Sequence, residues 1–238
     1  ADVNILRSDG VTPLIIASAN GHNNVVMLLL SCHAGVNIPQ KDGASSLFVA
    51  CEFGQLKCVE LLLKSKANIN QCRTDHSTPL IAAVDNSHFE VATLLLRSRA
   101  SVNGSSDQRT TPLMRACVSG NENVTKMLLS AGADFRWENK NKTTPLHEAS
   151  KHGHLVIVRL LTLKRANINA QRSDGATPYS LAMRGGHRDV AQLLIKSRAD
   201  TQGIRLRKDL KPQAKKELKS DRELKSDEDK HRNLSQEP

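Results

Sequence analysis

The chain has 238 residues, of which 39% are hydrophobic and only 3% aromatic, and it carries a formal net charge of +10. Large aromatic side chains normally supply much of a globular core, so the core here has to be built in thin layers from Leu, Val, Ile and Ala. The five cysteines, Cys32, Cys51, Cys58, Cys72 and Cys117, are odd in number and contain no CxxC pair, which argues against a disulfide framework and against a Cys-based zinc site.

No stretch reads as a membrane or export signal. The longest apolar run, Val25 to Leu30, is far shorter than the ~20 residues a spanning helix needs, and Ala1-Asp2-Val3-Asn4 lacks the basic and apolar regions of a signal peptide. The expectation is a soluble, intracellular, cytoplasmic chain with reduced thiols and with the sequons at Asn123 and Asn141 unused.

In chain order, the first predicted element is a short helix from Pro13 to about Asn20. Thr12 can cap it, an interaction worth roughly 0.5–2 kcal/mol. Pro13 fits the first turn, where its missing N–H costs nothing, and Gly21 ends the helix because glycine takes the left-handed conformation without strain. A second, leucine-rich helix is predicted over Val25 to Leu30, followed by a loop. The same order then returns: Ser45-Ser46-Leu47, Thr78-Pro79-Leu80, Thr111-Pro112-Leu113, Thr144-Pro145-Leu146 and Thr177-Pro178-Tyr179 each begin 33 residues after the last. Second helices are predicted at Val59 to Leu63, Val91 to Leu96, Val124 to Leu129, Val156 to Leu161 and Val190 to Ile195. Ala1, Ala34, Ala67, Ala100, Ala133, Ala166 and Ala199 keep the same step. Periodic recurrence of this kind is the mark of a repeat architecture. Helices this short are unstable alone, so each pair must bury its Leu and Ala faces against the pairs on either side.

The pattern D-G-x-T-P-L-x-x-A-x-x-x-G-H-x-x-V-x-x-L-L-L-x-x-x-A-x-x-N resembles the ankyrin repeat, over nearly the whole chain to about residue 200. The resemblance implies an all-α solenoid of stacked helix-turn-helix units with projecting β-turn or hairpin loops. The expected organisation is a remnant of a preceding repeat at 1–6 and repeats at 7–39, 40–72, 73–105, 106–138 and 139–171. A C-terminal capping repeat follows at 172–204, then a charged, disordered tail at 205–238. Because Ala1 falls inside a unit, the chain is expected to be the end of a longer array or a cut piece of one. Several positions depart from the pattern. Ser45-Ser46 replaces Thr-Pro, His76, Ser87 and Arg109 stand where glycine is usual, and Tyr179 and Ser180 replace Leu and His. The hairpins at His76 and Arg109 are therefore expected to be distorted.

His147, His152 and His154 around Glu148 invite a metal reading. Two zinc-binding histidines on one helix sit four residues apart. His147 and His152 are five apart, which sets their rings about 140° apart around a helix. His147 stands in the family's usual histidine place after Thr-Pro-Leu, where the resemblance implies a hydrogen bond to backbone between turns. His22, His88, His154 and His187 share a second repeated place near the second helix, which makes them architectural. No nucleophile with a positioned base, no paired-carboxylate motif and no phosphate-binding glycine loop is present. The reading is a non-catalytic chain without metal or cofactor.

The resemblance places a partner along the inner curve of first helices and the projecting turns. The candidate partner-binding residues are Asp42, Glu52, Phe53, Asp75, Asp85, Asn86, Gln108, Trp137, Lys140, Lys142, Lys151, His152 and Arg184. Residues flanking the turns, Val11, Ser77, Thr110, Thr143 and Ala176, belong to the same rows. Trp137, with Phe135, replaces small or polar residues found in other units; it reads either as an interface anchor or as packing beneath a hairpin. Residues 1–106 carry 8 Lys+Arg against 8 Asp+Glu, residues 107–200 carry 15 against 8, and residues 201–238 carry 11 against 8, so the net charge divides as 0, +7 and +3. An acidic-to-basic gradient along the groove would orient an extended peptide and raise its on-rate more than its affinity; scattered solubilising charge is the plainer account.

The leading expectation is a module, monomeric in isolation, that binds a protein or peptide. Binding of RNA or a phosphorylated ligand through Lys140, Lys142 and Lys151 is the alternative, weakened by the scarcity of stacking aromatics. A third is the substrate-recruiting part of a larger enzyme. In the tail, Glu217-Leu218-Lys219-Ser220-Asp221 recurs as Glu223-Leu224-Lys225-Ser226-Asp227, which suggests acid-directed phosphorylation of Ser220 and Ser226. The cluster Arg205, Arg207, Lys208, Lys211, Lys215 and Lys216 has the composition of a nuclear address.

Overall fold

The computed structural model describes residues 2–197. The end of the sixth expected repeat, the expected disorder of the tail, its recurring serine motif and its basic cluster lie outside the described residues. Among the described residues there are twelve helices and no strand. They fall into pairs: α1 (Pro13–Ala19) with α2 (Asn23–Ser31), α3 (Ser46–Glu52) with α4 (Leu56–Lys64), α5 (Pro79–Asp85) with α6 (Phe89–Arg97). The series continues with α7 (Pro112–Ser119) and α8 (Glu122–Ser130), α9 (Pro145–Lys151) and α10 (Leu155–Leu163), and α11 (Pro178–Arg184) and α12 (Arg188–Lys196).

Each first helix opens on a hydroxyl cap. Thr12, Ser45, Thr78, Thr111, Thr144 and Thr177 accept the N–H three residues on at 3.1–3.4 Å, and each cap residue is extended, which is the backbone shape the motif requires. Ser45 therefore does the work of threonine in unit two. Second helices begin one to three residues before the apolar pattern predicts, because their opening turns face solvent and carry residues such as Asn23, Glu90 and Arg188 that the pattern cannot see.

First helices pack on first helices and second on second, giving two parallel rows in which α1, α3, α5, α7, α9 and α11 are neighbours in turn. Neighbours in the first row meet more extensively than neighbours in the second, so the stack bends with the first row on its inner side. Leu14, Leu47, Leu80, Leu113 and Leu146, the leucines that follow the cap, are at most 1% exposed. Burial of one such side chain contributes about 1.5–3 kcal/mol, and it can only be achieved against neighbouring units.

Polar contacts repeat at the same joints. Asn4, Asn37, Asn70 and Asn103 accept, through Oδ1, the N–H of Gly35, Asn68, Ser101 and Asp134 at 2.7–2.9 Å. His88, His154 and His187 set Nε2 3.0–3.1 Å from the carbonyls of Glu52, Val118 and Lys151 in the preceding unit, and Gln55 donates to Ala19 O at 3.1 Å. His88, His154 and His187 thus join each unit to the one before it, whereas His22, in the same repeated place, is exposed and makes no such bond among the described residues.

The hairpins expected to be distorted are not. His76 and Arg109 take φ of 60° and 57° and keep the turn bonds to Arg73 O and Ser106 O at 3.0 and 2.7 Å, the same bonds that Gly10, Gly43 and Gly175 make to Arg7, Gln40 and Arg172. Each is held by a side chain. His76 Nδ1 meets the Asp107 carboxylate. Trp137 donates its indole N–H to Arg109 O at 2.8 Å while the Arg109 guanidinium lies 5.2 Å from the indole centroid. Lys142 occupies the same left-handed place, φ 56°. Fixing a non-glycine residue there costs about 1–2 kcal/mol, against which the contacts of His76 and Arg109 act.

Candidate functional site

The inner row and the hairpin edge present the candidate residues in two lines. Along the hairpin edge, each turn tip accepts a backbone N–H from the next: Asp9 O from Lys41, Asp42 O from Thr74, Asp75 O from Asp107, Gln108 O from Lys140 and Asn141 O from Ser173, at 2.8–3.3 Å. The tips of five successive joints are thus locked in register, and their side chains point off one continuous edge. Asp75, Gln108, Lys140 and Lys142 are exposed on it. Residues just past the turn are a different matter: Ser77, Thr143 and Ala176 are buried and turn inward, so the flanking row contributes less to this surface than the alternation of the sequence implies.

Along the inner row, the C-terminal ends of the first helices bring up Glu52, Asp85, Val118, Lys151 and Arg184, each followed by Phe53, Asn86, Ser119, His152 and Gly185. Here arginines organise the acids. Arg73 sits between Asp42 Oδ2 at 3.1 Å and Glu52 Oε1 at 3.7 Å, with its guanidinium 5.4 Å from the centroid of the buried Phe48 ring. Burial pulls the Asp42 carboxyl upward, but the Ala44 N–H, the Gln40 side chain and Arg73 together hold it below its ordinary value. Asp85 goes the other way: burial raises its carboxyl, and Arg115, with Nε 3.5 Å away, only partly offsets this.

In units five and six the row turns basic. Lys151 and Arg184 are exposed. His152 faces Glu148 at 3.7 Å and lies parallel to the His154 ring, centroids 6.1 Å apart. Burial lowers the His152 pKa, with Lys151 adding to the effect and Glu148 opposing it. His147 is separate from this face: it is fully buried on α9, its Nδ1 accepts the Thr144 N–H at 3.1 Å, and its Nε2 meets the carbonyls of Ala170 and Ala176 at 3.0 and 3.2 Å. His147, His154 and His187 are thus occupied by the fold. Trp137 is half-buried against the Arg109 turn, on the hairpin edge rather than in the inner row.

Three residues of this surface went unmarked in the sequence. Arg73 stands one place before its turn, where Arg7 and Arg172 also stand. Arg115 interrupts a place held by Ile16, Val49 and Ala82. Phe89 opens α6, where Asn23 and Glu122 open theirs. For Arg115 a positive charge at a place held mostly by apolar residues, and for Phe89 the one ring at its place, is the available signal; the place of Arg73 holds arginine in two other units and carries none.

Comparison with known proteins agrees with the geometry. The family model for ankyrin repeats (3 copies) matches residues 1–73, 65–138 and 131–203. Among solved structures the chain is similar to the crystal structure of the human ASB11 ankyrin repeat domain, at 24% identity and a TM-score of 0.73 over 81% of this chain and 86% of that one, a likeness of fold. A separate comparison with curated proteins found no match. Among the described residues no helix is long and apolar enough to cross a membrane. Ankyrin repeats are in general protein–protein interaction modules rather than catalysts, and this chain belongs to the ankyrin-repeat family.

Proposed function

We propose that the chain is a recognition or scaffold module that binds a partner protein, or an extended peptide of it, across the inner row of first helices and the hairpin edge. The observation that carries this reading is a division of labour among positions. The buried alanines Ala17, Ala50, Ala83, Ala116, Ala149 and Ala182 recur every 33 residues, whereas the ends of the first helices change at every step, from the half-buried Ala19 and Glu52 through the exposed Asp85, Val118 and Lys151 to Arg184. A stack that fixes backbone positions while varying the side chains presents an extended ligand with a different contact at each unit. The acidic side chains come first and the basic ones last, which favours a ligand of opposite polarity along its length.

The test is quantitative capture of binding proteins by the full chain, by the inner-row variant Lys151→Glu/Arg184→Glu and by the outer-row control Arg159→Glu. Loss of one or more partners with the inner-row variant alone supports the reading. Identical partner sets for all three would refute it.

A further inference from the structure

Two of the four phenylalanines stand exposed on one edge of adjacent units. Phe53, the C-cap of α3, is 56% exposed, and Phe89, the first residue of α6, is 41% exposed. The edge is the one where first helices turn into second helices, opposite the hairpins. At the repeat place of Phe53 the other units carry Asn20, Asn86, Ser119, His152 and Gly185, so the fold has no need of a ring there.

One inter-unit contact fixes the backbone beside both rings. His88, immediately before Phe89, sets Nε2 3.0 Å from the carbonyl of Glu52, immediately before Phe53. The His88 ring fills the space that a Cβ on Gly54 would take. Phe53 and Phe89 thus flank a single fixed joint, and Leu56, 36% exposed on α4, extends the apolar surface. Carboxylates rim it. Glu52 and Glu90 adjoin the two rings in sequence, and Asp85 lies four residues before Phe89. Arg73 and Arg115 approach Glu52 and Asp85 only at 3.7 and 3.5 Å, and Glu90 makes no ion pair among the described residues. The one lysine close by in sequence, Lys57, is taken by Glu60 at 2.9 Å.

We propose that Phe53, Leu56 and Phe89 are the anchor point for a partner segment that presents a large apolar side chain flanked by Lys or Arg. This rests on the partner-binding reading above and adds to it the place of the anchor and the chemistry of the ligand. The apolar side chain removes three exposed hydrophobic residues from water, and the flanking cations meet Glu90 and the outer faces of Glu52 and Asp85. Exposed rings seated on a rigid joint lose little side-chain freedom on binding, which is what concentrates affinity at such anchors.

A displayed library of random dodecapeptides, selected on the full chain, supplies the probe. Enriched peptides are then titrated against the wild type, Phe53→Asn, Phe89→Glu and Lys151→Glu/Arg184→Glu. Asn and Glu already occupy these places in other units (Asn20, Glu122), so both variants fold, and circular dichroism checks this. The expected result is peptides with a large apolar residue next to Lys or Arg, whose affinity falls about tenfold or more with Phe53→Asn and with Phe89→Glu. Peptides lacking the basic flank, or affinities unchanged by both variants, overturn the proposal. Sensitivity to Lys151→Glu/Arg184→Glu alone overturns it while leaving the groove reading intact, and failure of any peptide to bind removes both.

Discussion

Acid is expected to loosen the fifth unit first, through His147. Its imidazole is fully buried between α9 and the following turn, accepting one N–H at Nδ1 and aiming Nε2–H at two carbonyls. Protonation would place a second donor against the Thr144 N–H. Burial is the main cause that brings its pKa from 6.5 down to about 4, against the pull of the Ala176 and Ala170 carbonyls. Between these values the unfolded chain binds a proton that the folded chain refuses, so the stabilisation is complete above pH 6.5 and is lost as the pH falls towards 4. A shift of that size costs about 1.5 kcal/mol at pH 5.5 and about 2.5 kcal/mol at pH 4.5. The control is His147→Met, since Met114 fills the same place in unit four at 1% exposure. At pH 7.5 the variant should be less stable by about 1–3 kcal/mol, because the Thr144 N–H and the two carbonyls lose a buried partner. Urea midpoints at pH 7.5, 5.5 and 4.5 should show that gap closing as the solution is acidified, with other titrating groups cancelling in the comparison. Parallel pH profiles for the two proteins would refute the role given to His147.

Two glycines with nearly the same backbone separate strain from packing. Gly153 and Gly175 have φ of 77° and 76°, but a Cβ on Gly153 runs into the His187 ring, while one on Gly175 meets nothing within 4 Å. Gly175→Ala should cost about 1 kcal/mol and Gly153→Ala roughly 1–2 kcal/mol more through the lost His187 bond; equal shifts in thermal melts would contradict the packing. Lys142→Gly, at φ 56°, should raise the free energy of unfolding in urea by about 1 kcal/mol, and a lower value would mean the side chain itself holds the turn. Val25 and Ile157 share a repeat place but are 46% and 0% exposed. Val25→Asp should lie within about 0.5 kcal/mol of wild type and Ile157→Asp should cost more than about 4 kcal/mol, read by chemical denaturation; a large loss at Val25 would show that the outer face of the first pair is covered.

The period, the caps and the leucine layers were legible because each unit has to solve the same packing problem with the same residues. Thr12 and Thr177, or Leu14 and Leu146, are interchangeable in role. The starts of α2, α8 and α12 are not legible, since Asn23, Glu122 and Arg188 leave no apolar trace, and in α4 and α6 polar residues such as Lys57 and Glu90 break the apolar run after its first residue. The order of the hairpins at His76 and Arg109 is not legible from a count of glycines, because their supports are distant in sequence: a carboxylate from Asp107 in the next unit and an indole from Trp137 at the far end of the same unit. The same distance hides Arg73 over Phe48 and His88 over Gly54. Contacts of this kind join residues 25–36 apart, so they can be read only after the period is known and one unit is laid over the next.

That geometry also bears on what the surface can hold. Among the described residues the substantial helix contacts are within a unit or between adjacent units, so side chains brought together on the inner row come from adjacent steps of one line, as Asp42, Glu52 and Arg73 do. Such a line does not gather groups from many directions around a small molecule. It offers a ligand one set of contacts per unit, spaced by the stack. A change at an exposed place disturbs at most the two adjoining interfaces, which lets Phe53, Asp85, Lys151 and Arg184 differ freely from their counterparts while Leu47, Leu80 and Leu146 cannot. Side chains that differ where the fold permits anything, and that leave apolar rings in water without any gain to the stack, are the ground on which the proposed long, unevenly charged partner rests.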